Sequence, residues 1–139
     1  MAVGYSPAMS ATAERTLNPY VMLGGEAGLR RIVDRFYAIM DEAPQARAVR
    51  AMHAADLTPM RERLFDFMSG WLGGPARYAP RADGKCIVSA HRAYAIGAAE
   101  SEQWMYCMEH ALLDSGVADE VQGLLLPVLR RAAESFRNC

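Results

Sequence analysis

Apolar residues recur at steps of three and four along most of the chain, the period of an α-helix packed on one side. Leu29, Ile32, Val33, Phe36, Tyr37 and Met40 form one such stripe, predicting a helix over 26–42 that Pro44 ends. A second helix is signalled by Thr58 as N-cap and Pro59 at the first helical position. Its stripe is Leu57, Met60, Leu64, Phe67, Met68 and Trp71, and Gly73-Gly74-Pro75 stops it. Residues 76–88 read as a loop, and Ile87 to Ile96 as a short helix carrying His91. A long helix over 98–114 follows Gly97 and buries Trp104, Cys107, Met108, Ala111 and Leu112 before Gly116. The last, over 118–136, buries Val121, Leu124, Leu125, Val128, Leu129, Ala132 and Phe136, and Pro127 inside it predicts a kink or a split. No period-2 alternation marks a strand, so the fold class is all-α. Residues 1–19, small and polar with Pro7 and Pro19, read as a flexible tail before a domain spanning 20–139.

Composition narrows the function classes. A chain of 139 residues that is 52% apolar and 22% charged supports one domain with a real core, which excludes wholesale disorder. The net charge of −1 gives no electrostatic footprint for nucleic acid or an anionic membrane surface. No stretch approaches the roughly 18 apolar residues that span a bilayer, and the first twenty residues lack the apolar core of a signal peptide. Cys86, Cys107 and Cys139 are odd in number and show no C-x-x-C, against a disulfide framework. The expectation is a soluble cytoplasmic protein.

Few residues are available for chemistry. The histidines are His53, His91 and His110. His110 lies about 120° around its helix from the Trp104 face and reads as surface. No Glu-x-x-His pairs exist for a di-iron bundle, no short ligand spacing for zinc, and no Walker, G-x-G-x-x-G or G-x-S-x-G motif. Cys107 sits on an apolar face, where a thiol usually packs and is inert. What stands out is a cluster of large soft side chains, Phe36, Met60, Leu64, Phe67, Trp71, Trp104 and Met108, interrupted by the polar tips of Tyr37, His53 and Trp104. Such a cluster is either an ordinary core or a flat apolar slot with a ligating His91 at its rim. Spacing alone leaves both open and favours the core.

In order and at matching distances, the chain resembles the group II truncated haemoglobins from about Tyr20 to Phe136. The motifs are Gly24-Gly25, Arg35-Phe36-Tyr37, Ala55-Asp56-Leu57, Gly73-Gly74-Pro75 with Tyr78, His91 followed by Arg92-Ala93-Tyr94-Ala95-Ile96, Gln103-Trp104 and Cys107-Met108. The resemblance implies a two-over-two helical sandwich around haem b, with His91 as the iron ligand. It also implies Trp104, Tyr37 and His53 as the polar groups on the ligand side, with Phe36, Met60, Leu64 and Phe67 lining the pocket. Trp104 can only donate a hydrogen bond, which suits a ligand that gains negative charge; Tyr37 and His53 come second, and Met60 and Leu64 cannot donate. Many relatives carry basic residues one and three positions before the proximal histidine, where this chain has Ala90 and Val88. That leaves Tyr78, Arg61, Arg63, Lys85 and Arg92 as candidates to hold the propionates. The implied ligands are O₂, CO and NO. The implied role is reversible binding at a five-coordinate iron, with redox chemistry resembling NO dioxygenation or peroxide turnover rather than bulk oxygen transport. A reductase partner follows from that chemistry, and a homodimer remains open. Two rivals stay: a helical interaction module without its haem, and a redox sensor working through Cys86 or Cys107.

Overall fold

The computed structural model describes residues 18–77 and 94–138. The expected tail up to Leu17, and the segment carrying Tyr78, Lys85, Cys86, His91 and Arg92, lie outside the described residues. Six α-helices occur among those described: α1 (Pro19–Met22), α2 (Gly25–Glu42), α3 (Arg47–Ala51), α4 (Thr58–Trp71), α5 (Ala98–Asp114) and α6 (Asp119–Ser135). A 3₁₀ turn over Pro44–Ala46 leads into α3. No strand occurs among the described residues. The chain folds as a two-over-two sandwich in which α2 and α4 face α5 and α6, with α2 packed most extensively on α5.

The α2 stripe is buried as its periodicity predicts, Leu29, Ile32, Val33, Phe36, Tyr37 and Met40 all being inaccessible or nearly so. Its start depends on glycine. Gly24 and Gly25 turn the chain with φ of 100° and 67°, a region open to glycine at little cost. A Cβ on Gly28 would stand 1.8 Å from the Leu23 carbonyl oxygen, so α1 and α2 can meet only at a residue without a side chain.

Helix α4 differs from expectation in two ways. Thr58 is its first residue rather than its cap; the Asp56 carboxylate accepts the Thr58 N–H at 3.0 Å in front of the helix. Its fully buried face is Phe65, Met68, Ser69 and Leu72, whereas Met60, Leu64 and Phe67 are half-buried and Trp71 is 39% exposed. Arg61, Phe65, Met68 and Leu72 follow one another at steps of four, three and four, so a second stripe turned by roughly 100° is the one against α2.

The glycines after α4 do more than stop it. Asn18 donates to the Gly73 carbonyl at 2.9 Å and the Tyr20 N–H to the Leu72 carbonyl at 3.1 Å. A Cβ on Gly74 would stand 2.4 Å from the Tyr20 ring, so this turn is the seat of the α1 segment.

Helix α5 runs between the glycines as predicted, its first turn held by the Glu100 carboxylate, which accepts the Gly97 N–H at 2.7 Å. Helix α6 is neither split nor ended by Pro127. The carbonyl that Pro127 leaves unbonded belongs to Gly123, four residues earlier; both residues are exposed, and water satisfies what the ring removes. Val121, Leu125, Leu129 and Ala133 face inward, while Leu124, expected inside, is 57% exposed. Asn138 then ties the end of the chain to the approach to α5: its N–H donates to Ile96 O, its Oδ1 accepts from Ile96 N and its Nδ2 donates to Tyr94 O, at 2.8, 2.9 and 2.6 Å.

Candidate functional site

Between α3, α4, α5 and α6 lies a cavity of about 300 Å³. Its apolar wall comes from Val49, Met52, Pro59, Met60, Ile96, Ala133 and Phe136, and His53, Arg63 and Trp104 are set among them. Residues 52–57, a run of turns and bends between the five-residue α3 and α4, supply part of its lining through Met52, His53 and Asp56.

Trp104, on the cavity side of α5, is half-buried, its ring edge-on to Phe36 with centroids 5.2 Å apart. Its indole N–H has no hydrogen-bond partner among the described residues and is not among the buried unpaired groups, so it is open to whatever occupies the space. Phe36 is completely buried and meets Tyr37 edge-on at 4.9 Å. It props Trp104 from behind rather than lining the cavity.

Tyr37 is 3% exposed, and burial pushes its phenol well above the ordinary range, the Arg61 charge opposing and Cys107 adding to the shift. At neutral pH it is therefore a fixed donor. Cys107 is fully buried and its thiol is pushed up to about 11, again by burial, so it stays protonated and unreactive at neutral pH.

His53 lines the cavity and approaches Tyr37 edge-on at 6.1 Å. Its Nδ1 lies 2.8 Å from the Val49 carbonyl. A carbonyl can only accept, so Nδ1 carries the proton. In the neutral ring the other nitrogen, Nε2, is an acceptor; His53 adds a second donor only when protonated, which narrows the role expected from residue type. The loop carrying it is clamped by Arg50, which donates to the carbonyls of Ala54 and Ala55, each at 3.0 Å, and to the Asp41 carboxylate at 2.9 Å. Arg50 escaped the sequence reading because nothing in its spacing sets it apart from a solvated surface charge.

The other candidates separate. Met60 is on the cavity wall, and Leu64 and Phe67 continue its half-buried stripe. Arg63 lines the cavity and forms no ion pair among the described residues, its guanidinium donating to the Met60 thioether at 3.8 Å. Arg61 is not among the cavity-lining residues; its charge acts on both Tyr37 and Asp56, and its Nε is buried without a partner among the described residues. His110 is half-buried against the Tyr106 ring at 4.2 Å, away from the cavity lining.

A mostly apolar cavity with Trp104 and Arg63 on its wall fits a flat apolar group bearing acidic substituents near Arg63; of the two carboxylates that also line it, Glu100 is engaged with the Gly97 N–H and Asp56 with the Thr58 N–H. Comparison with known proteins decides the family, since the profile of the Bacterial-like globin family matches residues 18–138. The chain is a globin of this family, and within it a group II truncated haemoglobin. The group 2 truncated haemoglobin YjbI of Bacillus subtilis is 26% identical over 120 residues, covering 86% of this chain and 88% of that protein. Among solved structures, the cold-adapted truncated haemoglobin of Pseudoalteromonas haloplanktis superposes with a TM-score of 0.81 at 33% identity, covering 88% of this chain and 98% of its own. The group II 2-on-2 haemoglobin of Agrobacterium tumefaciens gives 0.82 at 30% identity, covering 88% and 95%. Globins carry haem and bind small diatomic ligands such as O₂, and the globin described here is a haem-based ligand-binding protein. No helix among its described residues is long and apolar enough to cross a membrane.

Proposed function

We propose that this globin holds haem b through His91 and binds O₂, CO or NO at a five-coordinate iron, retaining the ligand for redox chemistry instead of delivering it. The observation that carries the proposal is Trp104 on the cavity wall, its N–H without a partner among the described residues, beside the apolar Val49, Met52, Met60 and Ile96. When bound, the haem supplies an iron that takes a diatomic ligand and shifts negative charge onto it. Trp104 then donates a hydrogen bond to that charge, an interaction worth roughly 1.5–3 kcal/mol. Tyr37, kept protonated by burial, is the second donor. Met60 excludes water and cannot donate. Arg63 is the described residue best placed to pair with a propionate; Tyr78, Lys85 and Arg92 are candidates outside the described residues.

A ligand held this way leaves slowly, which suits reaction with NO or peroxide, supported by a reductase, better than transport. The first test is an absorption spectrum of the purified protein in its ferric, ferrous and CO forms. A strong Soret band that His91→Ala abolishes is the expected result. Colourless protein that also refuses added haemin would overturn the proposal and favour a helical interaction module.

A further inference from the structure

Gln103 precedes Trp104 on α5 but turns to α3, where its Oε1 accepts the Val49 N–H at 3.0 Å. Val49 is the third residue of a five-residue helix whose Ala46 N-cap offers no side-chain acceptor, so its N–H is one of the donors that a helix start leaves unpaired. Gln103 thus caps α3 from a different helix. The carbonyl of the same Val49 receives the Nδ1 proton of His53. One amide side chain on α5 is in this way linked through a single residue to the protonation pattern of a ring in the cavity.

We propose that Gln103 is a positioning residue that fixes His53, through Val49, as the Nδ1–H tautomer. Gln103 holds the Val49 N–H and the Met52 N–H donates to the Val49 carbonyl at 3.2 Å, so the residue is anchored at both ends and its carbonyl stays where it accepts the His53 Nδ1 proton. The neutral ring then meets its surroundings through an acceptor at Nε2, while the residue beside Gln103, Trp104, supplies the donor. Donor and acceptor in the site are thus set by two consecutive residues of α5. The proposal deepens the reading of the cavity as a ligand site and rests on it for its functional meaning, but the tautomer itself can be read with or without haem.

The test is ¹⁵N NMR of the full chain labelled at histidine, in the diamagnetic ferrous CO form, with the His53 signal assigned through His53→Phe. The wild type should show a protonated Nδ1 and an unprotonated Nε2 at pH 8. Gln103→Met keeps the bulk and removes the acceptor; it should move His53 toward a mixture of tautomers and speed exchange of the Val49 amide roughly fivefold or more. Gln103→Glu retains an acceptor and should preserve both wild-type properties. An Nε2–H tautomer in the wild type overturns the proposal, as does a wild-type tautomer in Gln103→Met or a Gln103→Glu that behaves like Gln103→Met. Should Gln103→Met not fold, Gln103→Asn, whose carbonyl falls one methylene short, is read by the same outcomes. A failed Soret band with the expected tautomer pattern would sink the haem reading and leave the role of Gln103 intact.

Discussion

Replacing Trp104 with Phe isolates one atom group, the indole N–H. The aromatic contact survives, because a phenyl ring in the same place can still meet Phe36, whose centroid is 5.2 Å from that of Trp104. Lost with the donor is one hydrogen bond to a charged acceptor, roughly 1.5–3 kcal/mol, or about ten- to 150-fold in release rate. Trp104 is half-buried, so water competes for the same acceptor and the effect belongs near the lower end, about ten- to thirtyfold. Stability should change little: about 1 kcal/mol for the lost ring area, or a Tm lower by roughly 3–5 °C. The assay is stopped-flow displacement of O₂ by excess CO, with CO dissociation as the control. CO gains less negative charge, so its release should change far less than that of O₂. An unchanged O₂ release rate would refute the role given to Trp104, and equal acceleration of both ligands would show that the substitution merely widened the cavity.

Four further substitutions test the packing of the fold. Cys107 has a folded-state pKa of about 11 against an ordinary 9.0, so its burial contributes stability that is complete below about pH 9 and lost as pH rises toward 11. That contribution is about 2–3 kcal/mol; Cys107→Val should flatten the fall of Tm between these limits, and parallel curves for the two proteins would contradict it. Gly28→Ala forces a Cβ to within 1.8 Å of a backbone oxygen and should destabilise by at least about 3 kcal/mol. Gly123→Ala on α6 meets nothing within 4 Å and should stabilise by about 0.5–1 kcal/mol, both being read by denaturant titration. Asn138→Leu removes the two side-chain bonds to Tyr94 and Ile96 and should cost about 1–2 kcal/mol, with faster exchange at the Ile96 amide; unchanged protection there would show that the tie is idle.

The long helices were legible because each buries one periodic stripe, and α2 and α5 lie within a residue of their predicted limits. Helix α4 was legible in extent but not in orientation. Apolar residues occupy two adjacent stripes there, and periodicity cannot say which one meets protein. Pro127 does not split α6, because the carbonyl it leaves unbonded is that of the exposed Gly123. The second use of Gly73 and Gly74 was invisible because Asn18 and Tyr20 lie more than fifty residues away and meet them only in the fold. The family pattern pointed to Tyr37, Trp104 and His53; Trp104 and His53 line the cavity, whereas Tyr37 is buried behind His53 and is not part of the lining. Whether His53 donates was not legible, since that depends on a bond to the Val49 carbonyl four residues before it.

The two stripes of α4 bear on why a prosthetic group belongs in this fold at all. An amphipathic helix on a protein surface needs one apolar face, and Phe65, Met68 and Leu72 already supply it against α2. Met60, Leu64, Phe67 and Trp71 form a second face, with Phe67 and Trp71 stacked at 5.9 Å and Met60 on the cavity wall. Four large apolar side chains left half-buried or exposed cost the chain hydrophobic stabilisation that ordinary core packing would recover, on the order of 1 kcal/mol each. Polar residues at these positions would cost nothing if water were the intended neighbour. Of these four only Met60 lies on the cavity wall, where the haem of a globin would cover it, with the Arg63 guanidinium beside it suited to acidic substituents. The same geometry assigns the labour within the sandwich: α2 and the inner face of α4 make the core, while α3 and the loop after it, the start of α4, the first half of α5 and the end of α6 line the cavity.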